Sequence, residues 1–299
     1  AEPLPTLLSK KHNVQRENIV VGNGAAELLT FFAHRFSGQQ VMIFHPTFSE
    51  YKATLEAAGA TTIELVVEDI EKYDLPLKPL KNKMIDAACL YICNPNNPTG
   101  ALIRKETIEE LVKYGEKEGC EILVDEAFMD WTDEKESVIP LIEKYPHLTV
   151  MRSMTKMYGI AGLRLGYLVG SRKIVNEIQP RLPHWHINAL AIEVGKRCLE
   201  DEAFRLQSIH KHNEMKREIE NYLQQHRCRF TKSETNFLCF QLEDPSKTME
   251  FYFYCLKQGV VLRHTENFLG MDGKWLRIGI KSTEAMEKFR QIMDEWHGK

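Results

Sequence analysis

The chain has no excess of charge of either sign. Its 39 Lys and Arg residues stand against 42 Asp and Glu, a formal charge of −3 over 299 residues. Gripping a phosphate backbone over many contacts needs a basic excess, so a dedicated nucleic-acid binder is disfavoured. Long hydrophobic runs are also missing. The longest, Ala87 to Cys93, falls far short of the roughly 20 residues of a membrane helix, and it has the length of a buried strand. No charged-then-apolar leader opens the chain. Cysteines number only seven, an odd count, and no Cys-x-x-Cys pair occurs. Most lie inside apolar runs, which fits buried, reduced thiols and a cytoplasmic setting. With 17 Gly and 12 Pro, and no internal repeat, a collagen-like or low-complexity chain is excluded.

What is present is an alternation of strand and helix patterns. At about 150 residues per domain the length suits two domains or one large one. Apolar runs at 19–21, 41–44, 61–67, 85–93, 122–124, 148–151 and 165–169 read as strands. Between the first two, Ala25, Leu28, Leu29, Phe32 and Phe36 recur at helical spacing. Tyr51, Leu55 and Ala58 share one face of the next helix, and Ile108, Leu111 and Val112 mark another. This order predicts an α/β fold with a mainly parallel sheet covered on both faces. After Pro180 the pattern changes. Residues 191–225 read as connecting helices, and 226–299 as a smaller α+β domain with strands at 237–241, 260–263 and 275–280. Residues 1–190 form the larger domain in this reading.

Ligands of open parallel sheets bind beyond the carboxyl ends of the strands. The segments after five successive strands are therefore informative. They are Gly22-Asn-Gly24-Ala25-Ala26-Glu27, His45-Pro-Thr-Phe48, Asn94-Pro-Asn-Asn97-Pro-Thr-Gly100, Asp125-Glu-Ala-Phe128 and Arg152-Ser153-Met-Thr-Lys156. Together they bring a glycine turn, an aromatic, an amide, a carboxylate and a lysine to one edge. Small residues opening a helix leave N–H groups free for a phosphate. A nicotinamide site fits poorly, because Glu27 replaces the third glycine and no acid ends the second strand. Ser153-x-x-Lys156 matches part of a penicillin-binding signature, but its Lys-Thr-Gly and Ser-Asp-Asn partners are missing. His184, His186, His210 and His212 lack a matched Cys or carboxylate set, so no metal is expected. Arg164, between Leu163 and Leu165, is expected to be buried in a strand and to need an anion. A lysine amine, a buried carboxylate, an aromatic face and a phosphate cradle match the chemistry of pyridoxal 5′-phosphate, whose aldehyde forms a Schiff base with lysine.

On these motifs, in this order, together with Gly162-Leu-Arg164-Leu-Gly166, the sequence resembles the fold-type I pyridoxal-phosphate enzymes of the class I/II aminotransferase group. The resemblance covers nearly the whole chain. It implies that Lys156 forms the Schiff base and shuttles protons, and that Asp125 pairs with the pyridine N–H. Asn97 would bond the phenolic oxygen, and Phe48 would stack on the ring. Gly24, Ala25, Ala26, Ser153 and Arg164 would hold the phosphate. Two subfamilies compete. The stretch 152–169, Asp125-Glu-Ala-Phe128, Trp185-His-Ile-Asn188 and Arg277-Ile-Gly-Ile are closer to the L-threonine-O-3-phosphate decarboxylases of cobalamin biosynthesis. The histidinol-phosphate aminotransferases are the alternative, and they usually carry Tyr where Phe128 stands. Arg263 and Arg277 would meet the substrate beside Asn97, Arg277 at its carboxylate and Arg263 at its phosphate. Trp185 and Asn188 would line the cavity. A homodimer is implied, as is a segment preceding Ala1. A further alternative is a binding module on the same fold without catalysis, against which the intact Lys156, Asp125 and Arg164 argue.

Overall fold

The computed structural model describes residues 2–298. Seven strands form the larger sheet: β1 (Ile19–Asn23), β2 (Gln40–His45), β3 (Thr61–Val66), β4 (Cys89–Cys93), β5 (Glu121–Asp125), β6 (Leu148–Ser153) and β7 (Leu165–Val169). Their spatial order is β1-β7-β6-β5-β4-β2-β3. Only β7 runs against its neighbours β1 and β6. The other pairings are parallel. Six strands therefore end at the same edge, where β7 begins.

Helices cover both faces: α1 (Leu4–His12), α2 (Ala25–Ala33), α3 (Glu50–Ala57), α4 (Leu77–Met84), α5 (Lys105–Glu118) and α6 (Arg172–Ile178). Alternate residues of the central strands enter two separate cores. Leu90, Ile92, Ile122 and Val124 pack against Ile108, Leu111 and Val112 of α5. Cys89, Tyr91 and Leu123 point the other way, towards Leu28, Leu29 and Phe32 of α2 and Tyr51 and Leu55 of α3. The near-continuous apolar run of β4 is thus explained by burial on both faces.

Two helices, α7 (Ala189–Glu200) and α8 (Glu202–Gln225), lead to a second sheet. It contains β8 (Arg229–Phe230), β9 (Phe237–Gln241), β10 (Arg263–His264) and β11 (Leu276–Gly279), all antiparallel, in the order β10-β11-β9-β8. Helices α9 (Thr248–Lys257) and α10 (Thr283–His297) cover one face. Leu238 and Phe240 of β9 pack there against Phe251, Phe289 and Met293. The loop after β4 is the seam between the sheets. Thr231 donates to the Thr99 carbonyl at 2.6 Å, and the Glu234 N–H to that of Gly100 at 2.9 Å.

Several sequence expectations change. The strand expected at 85–93 begins only at Cys89, because Ile85 caps α4 and is exposed. The strand expected at 260–263 begins only at Arg263 and runs to His264, and Val261 faces solvent. Helices α1 and α4 had no apolar stripe long enough to announce them. All seven cysteines are free; Cys198 is half-buried and the others are buried.

Arg152 is the largest of the fully buried side chains. Its Nε donates to Glu126 at 2.8 Å, and its other nitrogens reach Glu134 at 3.0 Å and Asp130 at 3.4 Å. Glu126 follows Asp125, and Arg152 precedes Ser153, so the pair ties the ends of β5 and β6 together. Removing one partner strands a buried charge. Arg152→Met is expected to lower the unfolding free energy by about 3–5 kcal/mol in a urea titration.

Candidate active site

The ends of β1, β2, β4, β5 and β6 deliver their segments to one cleft. Asp125 is the last residue of β5, the middle strand of seven, and is buried. Its Oδ1 accepts from the Ala127 N–H at 3.0 Å, and its Oδ2 from the Tyr51 hydroxyl at 2.7 Å. Burial pushes its carboxyl up, while these two donors and the Lys156 cation oppose that. A buried carboxylate normally has a cationic partner. Here Lys156 is the cation acting on it.

Lys156 stands at the surface of the cleft, with Nζ 5.7 Å from the centroid of the Phe128 ring. Loss of water around it pushes its amine below the ordinary lysine value. Arg164 and Arg277 act in the same direction, and Asp125 against. Four charged residues from four separate segments therefore converge. The result is an amine biased towards its neutral, nucleophilic form.

Gly24 caps α2 with φ +81°, and no side chain caps the helix. The N–H groups of its first turn are thus available to an anion. A methyl group on Gly24 would meet the Arg164 guanidinium, the flexible end of an exposed side chain that could shift aside, so it is the positive φ that requires glycine there. One on Gly166 would overlap the Ala25 nitrogen, so β7 passes close under the same turn. Ser153, buried at the end of β6, shares a 2.8 Å hydrogen bond with Thr155. Arg164 differs from the sequence expectation. It is exposed, in a left-handed turn (φ +57°) just before β7, and donates to the Ala161 carbonyl at 3.1 Å. It has no burial cost to offset; the turn simply aims it at Gly24.

Across the cleft, Arg277 donates to Asn97 Oδ1 at 2.5 Å. Its guanidinium lies 4.8 Å from the Phe237 ring centroid, and Phe237 meets Phe128 edge-on at 4.9 Å. Arg263 and Arg277 are directly paired across β10 and β11. Like charges at opposed positions repel, and Arg263 helps push Arg277 below its ordinary value after burial does so. Neither has a salt bridge among the described residues; Arg263 donates instead to Asn267 at 2.7 Å. Phe48 is half-buried and packs edge-on against Tyr51 at 5.5 Å.

Asn188 caps α7 and donates to the Leu163 carbonyl at 3.1 Å, next to Arg164. Trp185 is 96% exposed, with φ +54°. Its side chain meets His184 and no cleft residue singled out from the sequence. Tyr51 and Phe237 escaped sequence reading. Tyr51 sits on an apolar helical stripe, and Phe237 begins an apolar strand. Nothing local separates either from the core.

The residues fit pyridoxal 5′-phosphate on an observation independent of any motif. A buried carboxylate lacks a salt-bridged partner among the described residues, and an uncapped helix start with an arginine over it lies at the same strand edge. Fold and cleft together define a pyridoxal-phosphate-dependent enzyme of fold type I. Residues 4–292 match the family described as aminotransferase class I and II, and the chain belongs to that family. A protein of Caldanaerobacter subterraneus subsp. tengcongensis, provisionally named threonine-phosphate decarboxylase, is 33% identical over 94% of this chain and 78% of its own. The histidinol-phosphate aminotransferase of Methanococcus aeolicus is 29% identical over 96% of this chain and 78% of its own. The crystal structure of the histidinol-phosphate aminotransferase from Clostridium acetobutylicum superposes with a TM-score of 0.90 at 27% identity, covering 97% of this chain and 86% of that one.

The lowered Lys156 amine has a direct consequence. With the cofactor-free protein, labelling of Lys156 by an amine-selective reagent should reach half its maximal rate below pH 10.5, the ordinary lysine value. Exposed lysines serve as internal controls, and peptide mass spectrometry reads both.

Proposed function

We propose that this protein decarboxylates L-threonine O-3-phosphate to an aminopropanol phosphate. The observation that carries the reading is the pair Arg263–Arg277, opposed across two strands at the cleft, both lacking a carboxylate partner among the described residues. Two unneutralised guanidinium groups suit one substrate bearing two anions, a carboxylate and a phosphate. Histidinol phosphate carries only the phosphate, so the pair separates the two phosphorylated substrates, although glutamate, the other substrate of the alternative reaction, also carries two anions. The 33% identity to a protein named as a decarboxylase and the place of Phe128 support the same choice.

When bound, pyridoxal 5′-phosphate supplies an electron-withdrawing ring that stabilises negative charge at the substrate α-carbon. The chain's residues take the following roles. Lys156 presents the amine that anchors the cofactor and carries a proton to the α-carbon. Asp125 keeps a positive charge on the ring nitrogen. Asn97, whose Oδ1 is taken by Arg277, is left with its amide N–H to donate towards the phenolic oxygen. Phe128 has no hydroxyl to add there. Phe48 offers its face to the ring. Gly24, Ala25, Ala26, Ser153 and Arg164 hold the phosphate of the cofactor. Arg277 takes the substrate carboxylate and Arg263 its phosphate. Bond choice at the α-carbon is a matter of orientation, because only the bond perpendicular to the ring overlaps its π system. Two arginines that fix both ends of the substrate set that orientation.

The division of the chain follows the same proposal. Residues 1–190 carry the cofactor, 191–225 connect, and 226–299 bring the two arginines. A cytoplasmic homodimer remains part of it.

The alternative activity is transfer of an amino group between glutamate and histidinol phosphate, favoured by the identity to aminotransferases. Incubating the purified holoenzyme with phosphothreonine should release CO2 without forming a keto acid. No CO2, together with glutamate-dependent conversion of the cofactor to its amine form, refutes the decarboxylase. Arg263→Gln should raise KM for phosphothreonine by about tenfold or more, with a smaller change in kcat.

A further inference from the structure

The cleft contains a polar contact that no sequence motif announces. The Tyr51 side chain is fully buried in α3, and its hydroxyl donates to Asp125 Oδ2 at 2.7 Å. Phe48 and Tyr91 hold its ring edge-on, at 5.5 and 5.6 Å. Two aromatic walls leave that hydroxyl little freedom to turn elsewhere. The titratable groups around this contact are few. Cys93 lies directly across from Asp125 in the β4–β5 register, and burial pushes its thiol up to about 12. It is therefore neutral beside the carboxylate. Lys156 faces Asp125 from the loop after β6. Burial and the Asp125 charge push the Tyr51 hydroxyl well above its ordinary value, so it keeps its proton and remains a donor.

Asp125 thus has one oxygen engaged by the Ala127 N–H and the other by Tyr51. Each oxygen still has a lone pair left, because a carboxylate accepts up to about four hydrogen bonds. Two fixed donors from different elements, a strand-end loop and a helix, lock the plane of the carboxylate. Donors to the charged form also counter the burial that disfavours it.

We propose that Tyr51 is a positioning residue for the cofactor: its hydroxyl holds Asp125 as an anion, in the one orientation that presents a free lone pair to the ring nitrogen. The proposal rests on the assignment of Asp125 to that nitrogen. A plain core tyrosine, needing only some acceptor for its hydroxyl, predicts no effect on the cofactor's electronics. The two accounts differ in a spectroscopic observable. A protonated ring nitrogen makes every basic atom conjugated with it less basic. Weakening the Asp125 anion should therefore raise the pH midpoint of the bound cofactor's visible absorbance.

The test compares wild type, Tyr51→Phe and Asp125→Asn, each reconstituted with pyridoxal 5′-phosphate. Tyr51→Phe removes one oxygen and keeps the ring that packs the core; far-UV circular dichroism checks the fold. Its absorbance midpoint should rise by about half a pH unit or more. Its cofactor dissociation constant, from equilibrium dialysis, should weaken by about tenfold. Asp125→Asn should change both readouts further. If Asp125→Asn shifts them and Tyr51→Phe matches wild type, the role of Tyr51 is refuted while that of Asp125 stands. If Asp125→Asn matches wild type as well, the assignment of Asp125 falls and that of Tyr51 falls with it.

Discussion

A carboxylate buried at the end of the middle strand is the constraint around which the cleft is organised. Asp125 is buried there and largely withdrawn from water. An anion there needs donors and a cation, and neighbouring segments supply them: Ala127 by its N–H, Tyr51 by its hydroxyl, Lys156 by its charge. Behind it, Glu126 and Arg152 solve the same problem with a buried ion pair of their own. The ends of β5 and β6 are thus held by two adjacent charge systems, one closed and one open to a ligand. The closed one is a matter of stability. The open one leaves a lone pair on each Asp125 oxygen free for a further donor.

The end of the cleft at the start of α2 depends on close approach rather than on charge alone. Gly166 lets a strand come nearer to the first turn of α2 than a side chain would permit. Arg164 needs no burial to act there. Its left-handed turn and its hydrogen bond to the Ala161 carbonyl aim it at Gly24. The opposite wall comes from the second sheet, which docks on the loop from Asn94 to Gly100. Because that loop also carries Asn97, docking and the Arg277–Asn97 contact are one event. The repulsion between Arg263 and Arg277 is then built into the β10–β11 register and is relieved by whatever anions enter.

Much of this was legible from residue order. Continuous apolar strands with helical stripes between them imply a parallel sheet, and parallel strands must end at a common edge. The segments carrying Gly24, Phe48, Asn97, Asp125 and Lys156 therefore belong at one place on residue order alone. Arg164 departs from its sequence pattern for a local reason: its apolar neighbours Leu163 and Leu165 suggest a strand, whereas the backbone turns at 164 and the strand begins one residue later. Short elements were also blurred. Ile85 reads as strand because it adjoins an apolar run, but it ends a helix.

The alternation of strands and helices, the edge at which ligands bind and the residue types delivered there follow from the sequence itself, because hydrophobic periodicity and turn chemistry are local properties; the spatial order of the strands and the reversed β7 do not. Nor do contacts between segments far apart in the chain. Tyr51 meets Asp125 across 74 residues and Arg277 meets Asn97 across 180. Both are side chains that sequence pattern files under core or edge strand. Only packing brings their polar atoms to an acceptor, since that distance depends on how two sheets and a helix come together, which no local spacing encodes.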